Sequence, residues 1–155
     1  MNVKNLLKMV AAVAAVAGVA IMTGCTSIPH ATPEERADAL KMMTNSDKAA
    51  VYTFRGEKGS YKIHQLPMKI KGTEIKTYGN SFTKTLVNPG KGTIETDMVQ
   101  LIGNDTELEV DLEAGKSYFY EVSMHYRPLI GPGTEIVNHP KEKALEMMKD
   151  LPYIK

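Results

Sequence analysis

The sequence predicts an all-β domain, a β-sandwich with one short helix before it and one after it. Two observations predict it, and a third says what must hold it together. From Ala50 onward apolar residues recur with a period of two, the spacing of strands with one buried face. Clusters of Gly, Pro, Asn and Asp interrupt that pattern at near-regular intervals, leaving about seven or eight short strands, as sandwiches show. Cys25 is the only cysteine, so an intramolecular disulfide is excluded and the core alone must hold the fold.

The first element is not part of that domain. Lys4 and Lys8 precede the apolar run Met9 to Met22, the layout of a secretory signal peptide. The run falls short of the roughly 20 residues a helix needs to span a bilayer, and it ends in small residues rather than a charged flank. Its last residues, Met22-Thr23-Gly24-Cys25, resemble the lipobox of bacterial lipoproteins. The resemblance implies cleavage between Gly24 and Cys25, acylation of Cys25 by palmitate-type chains, and a membrane tether. Thr26 stands where Asp would favour the inner membrane, so the resemblance further implies the outer membrane, facing the periplasm. The expected organisation is a signal peptide over 1–24, a lipidated anchor and stalk over 25–48, and the sandwich over 49–155.

Losing residues 1–24 removes Lys4 and Lys8 and no acid, taking the net charge from +1 to −1. Such a balance gives no reason to expect nucleic acid or a strongly anionic partner.

Within the stalk, Thr32 as N-cap, Pro33 at the first position and Glu35 form a capping box. Ala37, Leu40, Met43 and Met42 then give an amphipathic helix over Pro33 to Met43 that packs against the domain as a spacer. Val51 to Arg55 reads as a strand, Gly56 to Ser60 as a turn and Tyr61 to Leu66 as a second strand. Met68 to Lys71 and Glu74 to Lys76 flank Gly72-Thr73 as a hairpin. Phe82 to Val87 stops at the turn Asn88-Pro89-Gly90, and Thr93 to Met98 resumes the pattern.

Leu108, Val110 and Leu112 alternate with Glu107, Glu109, Asp111 and Glu113. After Ala114-Gly115-Lys116, Tyr118, Tyr120, Val122, Met124 and Tyr126 face one way and Phe119, Glu121, Ser123, His125 and Arg127 the other. The two segments are expected to pair as an antiparallel hairpin with one face on the core and one in water. Glu135 to Asn138 adds a short strand. Pro140 opens a C-terminal helix whose face carries Ala144, Leu145, Met148 and Leu151.

Three runs, Ala49-Ala50-Val51-Tyr52-Thr53-Phe54-Arg55, Val87-Asn88-Pro89-Gly90-Lys91 and Leu112-Glu113-Ala114-Gly115-Lys116-Ser117-Tyr118-Phe119, give the chain a likeness to a known family. In order and spacing it resembles the domain-of-unknown-function 2846 family of small bacterial lipoproteins, from about Ala49 to Leu151. The resemblance implies an immunoglobulin-like or transthyretin-like antiparallel sandwich and brings no catalytic residues with it.

The residues themselves suggest little chemistry. His30, His64, His125 and His139 are scattered, with no two at the spacing that sets a pair of ligands on one face. His139 is expected to cap the C-terminal helix. His125, Ser123, Glu121 and Arg127 read as a polar strand face pairing with the acidic comb of Glu107, Glu109 and Asp111. That comb lacks the loop that would wrap calcium, and no serine sits in a nucleophile-elbow pattern. No catalytic residue, cofactor or metal site is therefore expected. The expected function is a non-enzymatic interaction module, tethered at Cys25 and presenting loops or an edge strand to another envelope protein or to peptidoglycan. The alternative is a small-ligand or Cu(I) binder using His64, His125 and some of the seven methionines beyond Cys25.

Overall fold

In the computed structural model the described residues are 28–42, 47–56, 65–96, 106–128 and 131–155. Helix α1 covers Pro33–Leu40. Its capping box forms as the sequence requires: Glu35 N–H donates to Thr32 Oγ1 at 3.3 Å and Thr32 N–H donates to Glu35 Oε2 at 2.8 Å. The helix ends earlier than expected, and its buried face differs. Ala37 is exposed, whereas Ala39 is buried and Arg36 and Leu40 are half-buried. The inward stripe is 36, 39 and 40, a valid helical spacing that the polar Arg36 disguises.

Eight strands follow: β1 Ala49–Arg55, β2 Gln65–Ile70, β3 Thr73–Tyr78, β4 Ser81–Val87, β5 Gly90–Thr96, β6 Glu107–Leu112, β7 Ser117–Arg127 and β8 Gly131–Asn138. Helix α2 covers Lys141–Met148. The strands form two four-stranded sheets, β4-β1-β7-β8 and β3-β2-β5-β6, so the all-β sandwich is the fold. Residues 61–64 of the second expected strand lie outside the described residues.

The core has two layers. Between the sheets pack Ala49, Val51, Leu66, Met68, Ile70, Val87, Ile94, Leu112, Tyr120 and Val122. On the outer face of the first sheet, Ala50, Tyr52, Phe54, Phe82 and Phe119 pack against Ala39 of α1 and Ala144, Met148 and Leu151 of and beyond α2. Every residue of β1 is buried, because its odd positions face the second sheet and its even positions face the helices. The stacked rings of Tyr52 and Phe119, 5.1 Å apart, belong to this helical side, where such a pair adds about 0.5–1.5 kcal/mol beyond its buried area.

Two expectations about pairing are corrected. β6 and β7 do not form a hairpin: β6 pairs with β5, and β7 crosses to the other sheet. Their apolar faces meet across the core instead of lying side by side. Alternation assigns side chains to the core but is equally satisfied by a hairpin or by an arch between sheets. Nor are all pairings antiparallel. Because β7 enters the first sheet from the end where β1 begins, it pairs with β1 in parallel, Tyr52 opposite Phe119. Gly115 N–H donates to Lys48 O at 2.8 Å and Ala50 N–H to Lys116 O at 2.9 Å, fixing that entry. The expected polar face of β7 is in part a buried one, since Phe119 lies under the helices.

The β2–β3 turn is Lys71-Gly72, one residue earlier than expected, with φ of 49° and 77°. Both central residues lie in the left-handed region, as a two-residue hairpin with type I′ geometry requires. Pro67, which lacks an N–H, sits in β2 just before pairing with β5 starts at Met68. Where the sheets approach at the β6/β8 side, hydroxyls tie them: Thr96 and Thr134 are 2.8 Å apart, and Thr134 and Thr106 2.9 Å.

Candidate functional site

The residues expected to carry the anchor, Gly24, Cys25 and Thr26, lie outside the described residues, as does His64. The segment that follows them is well defined. His30 bridges Ile154 in antiparallel fashion, Ala31 N–H donates to Tyr153 O at 3.0 Å and Lys155 N–H to Pro29 O at 3.2 Å. Tyr153 in turn bridges Phe82 of β4 in parallel, with Phe82 N–H donating to Pro152 O at 3.0 Å. Residues 29–31 and 152–155 thus extend the first sheet beyond β4, and the Phe82 and Tyr153 rings stack at 5.1 Å.

Arg36 locks this arrangement. Its Nε donates to Leu151 O at 2.9 Å, and its Nη2 donates to Met148 O at 3.3 Å and to Lys149 O. These are carbonyls at and just past the end of α2, which have no partner within the helix. The same guanidinium stands 5.9 Å over the Phe82 ring. Lys155 pairs with Glu35, and that bond, ahead of the capping bonds, lowers the Glu35 carboxyl below its usual range. The stretch expected to be a stalk is therefore folded onto the domain from residue 28 to residue 42. Pro29 stands four residues after Cys25, so about 14 Å of extended chain is the most that can separate them.

Beside Pro29 an open groove of about 660 Å³ runs along the β3/β4 edge. Lys69, Lys76, Lys84 and Lys155 line it against one carboxylate side chain, Glu74. Lys84 Nζ lies 5.6 Å over the Tyr52 ring, and burial lowers its pKa. Sequence reasoning missed both Arg36 and this groove. The available signal was faint: Lys69 and Lys76 belong to adjoining strands whose alternation puts both on the outer face, with Lys69 opposite Glu74 and Lys76 opposite Pro67.

The described histidines, His30, His125 and His139, are not brought together. His30 is exposed at the chain-end bridge and His125 is exposed on β7. His139 does not cap α2, whose N-cap Pro140 makes no side-chain cap bond. Its Nε2 lies instead 2.8 Å from Glu121 Oε2, with a side chain only 7% exposed and its ring 5.9 Å from that of Phe54. Glu121 is thereby engaged within its own sheet, and the expected pairing of the β7 face with the acidic comb is ruled out because β6 belongs to the other sheet. Glu107, Glu109 and Asp111 are exposed on β6, an edge strand, where charge discourages strand addition by other chains.

Arg55 is fully buried between the sheets and donates to Thr77 O at 3.3 Å and to Met124 Sδ at 3.0 Å. A thioether facing a guanidinium is a poor Cu(I) ligand, which weakens the candidacy of Met124. Among the described residues no three of His, Cys, Asp and Glu converge as a metal site, and no helix is long and apolar enough to cross a membrane. No protein-family model matches the chain, and neither does any curated protein sequence.

Proposed function

We propose that this protein is a lipoprotein of the cell envelope, cleaved between Gly24 and Cys25, tethered through lipid on Cys25, and acting as a non-enzymatic interaction module. The observation that carries the reading is the clamping of residues 29–31 onto Tyr153–Lys155 so soon after Cys25. A domain seated within about 14 Å of its anchor keeps a fixed edge toward the membrane and presents the rest outward. Thr26 favours the outer membrane with the domain in the periplasm, and the likeness to the domain-of-unknown-function 2846 lipoproteins is in keeping with this placement.

The fold supports a binding rather than a chemical role. The described titratable side chains that are buried or bridged serve packing: His139 holds Glu121, Arg55 spans the sheets, and Arg36 closes α2. Among the described residues β8 is the outer strand of the first sheet, opposite the edge extended by the chain ends; Thr106 Oγ1 already donates to Thr134 O at 2.8 Å, and beyond that tie a partner strand could add in the manner of β-augmentation. In-cell crosslinking of the full-length protein against Cys25→Ala, read by mass spectrometry, tests this. A specific envelope protein or peptidoglycan fragment captured only with the native Cys25 is the expected result. Equal capture by both forms, or a mature protein without acyl chains, overturns it.

A further inference from the structure

The two outer strands of the second sheet both expose charge, but in different patterns. β6 presents Glu107, Glu109 and Asp111, all of one sign. β3 presents Glu74 and Lys76, of opposite sign and two residues apart, with the half-buried Ile75 between them packing on the inter-sheet core. Two copies of β6 laid edge to edge would bring acid against acid, whereas the charges of β3 can complement themselves. Strand β3 contains neither Gly nor Pro, and among the described residues it pairs on one side only, with β2.

The hairpin register fixes where the remaining backbone groups of β3 point. The two-residue turn Lys71-Gly72 makes Ile70 and Thr73 the closing hydrogen-bonded pair, so Thr73, Ile75 and Thr77 bond to β2. The N–H and C=O groups of Glu74, Lys76 and Tyr78 therefore point away from the sheet. Beside them lies the open groove of about 660 Å³, which Glu74, Ile75, Lys76 and Tyr78 line.

We propose that β3 is the interface of a symmetric dimer, in which the β3 strands of two copies of this chain pair antiparallel and join their second sheets into one. A two-fold axis at Ile75 sets Ile75 opposite itself and Glu74 opposite Lys76 of the second copy, twice over. In that register each side chain keeps its face, and the outward backbone groups of Glu74 and Lys76 meet as hydrogen-bonded pairs. An axis at Glu74 or at Lys76 would preserve both features but set like charge against like, so charge selects Ile75. Lys69 already stands opposite Glu74 on β2, and Glu95 opposite Lys69 on β5. The row across the joined sheet then reads Glu95, Lys69, Glu74 and the second copy's Lys76, alternating in sign. The pairing does not rest on the anchor at Cys25.

Cysteine crosslinking in cells producing the full-length protein tests this, with the native chain, whose one cysteine is Cys25, as the control. Facing residues of a non-hydrogen-bonded antiparallel pair have Cα atoms about 4.5 Å apart, within the reach of a disulfide. Ile75→Cys should therefore give a linked dimer on mild oxidation. Thr73→Cys should not, because its two copies would stand about 14 Å apart. Lys76→Glu, combined with Ile75→Cys, turns both reciprocal pairs into like charges and should lower the linked fraction at least about tenfold; adding Glu74→Lys restores opposite signs and should recover it. Lys76 faces Pro67 within its own sheet, so Lys76→Glu breaks no internal ion pair there. Should Ile75→Cys fold poorly, Glu74→Cys and Lys76→Cys on two chains produced together should link to each other. Linkage of Thr73→Cys as strong as that of Ile75→Cys overturns the proposal, as does linkage to a different protein, insensitivity to the charge reversal, or no linked dimer from either set.

Discussion

Arg36 Nε donates to the carbonyl of Leu151 across 2.9 Å, joining the first helix of the domain to the end of the last. The contact spans 115 residues of sequence and closes the carbonyl end of α2 with a side chain from α1.

Arg36→Met should therefore destabilise the domain by about 2–3 kcal/mol, the range for charge-assisted hydrogen bonds, although Met148 O keeps the bond that Leu151 N–H donates at 3.1 Å. A lowered urea midpoint with an unchanged slope is the expected signature. Arg36→Lys should recover only part of the loss, because an ammonium cannot reproduce the spread of donors that reaches three carbonyls. An Arg36→Met protein as stable as the native one would show that the helices hold without this cap.

Alkaline pH should weaken the fold. Burial pushes the Tyr52 and Tyr120 phenols up to about 12, whereas an unfolded chain releases those protons near 10. Between about pH 10 and pH 12 the folded state binds more protons than the unfolded one, so stability present below that window falls as pH rises through it. Lys84, lowered by burial, acts in the opposite sense. Tyr52→Phe should flatten the decline in a series of urea titrations, at a cost near neutral pH of about 1 kcal/mol for the bond its hydroxyl donates to Ala39 O at 2.8 Å. An unchanged slope would mean that Tyr52 does not contribute.

His139→Ala should cost about 2 kcal/mol, combining the lost bond to Glu121 with the space left beside Phe54. His139→Gln, which can still reach a carboxylate, should cost less. Thermal unfolding of the two variants separates the hydrogen bond from a capping role, under which Gln and Ala would behave alike.

Lys71 and Gly92 should behave as one unit. A Cβ at residue 92 would lie 2.6 Å from Lys71 Cγ, so Gly92→Ala must displace a side chain whose Nζ donates to Pro89 O and Gly90 O, both at 2.8 Å. Gly92→Ala and Lys71→Ala should each cost about 1 kcal/mol, while the double variant costs little more than Lys71→Ala alone. Additive losses would show that the two positions are independent.

Much of the fold is legible in the residues. The capping box at Thr32 and Glu35 forms, most strands lie close to their expected bounds, although β2 runs through the expected break at Pro67 and β8 starts four residues early, and the inward sets Leu108, Val110, Leu112 and Tyr118, Tyr120, Val122, Met124 pack on the inter-sheet core. What misled was partnership. Nothing in the alternation of β6 and β7 tells a hairpin from an arch, Arg36 carries no signal of its own although it spans two helices, and His139 reads as a helix cap although it is buried beside Phe54.

The candidate site divides along the same line. Contiguous residues carry the lipobox reading, Met22-Thr23-Gly24-Cys25, because a processing signal is read from an extended local stretch. The groove is assembled from Pro29, two strands of one sheet, an edge of the other and the chain's last residues. No local pattern encodes that assembly.

By itself the sequence determined most of the secondary elements and the inward-facing apolar sets of β6 and β7, since period and capping are properties of neighbouring residues. Only the tertiary structure decided which strands pair, that β1 is covered on both faces, and that Arg36 reaches the end of α2. Those outcomes depend on how the chain crosses between sheets, and contacts between residues far apart in sequence set them.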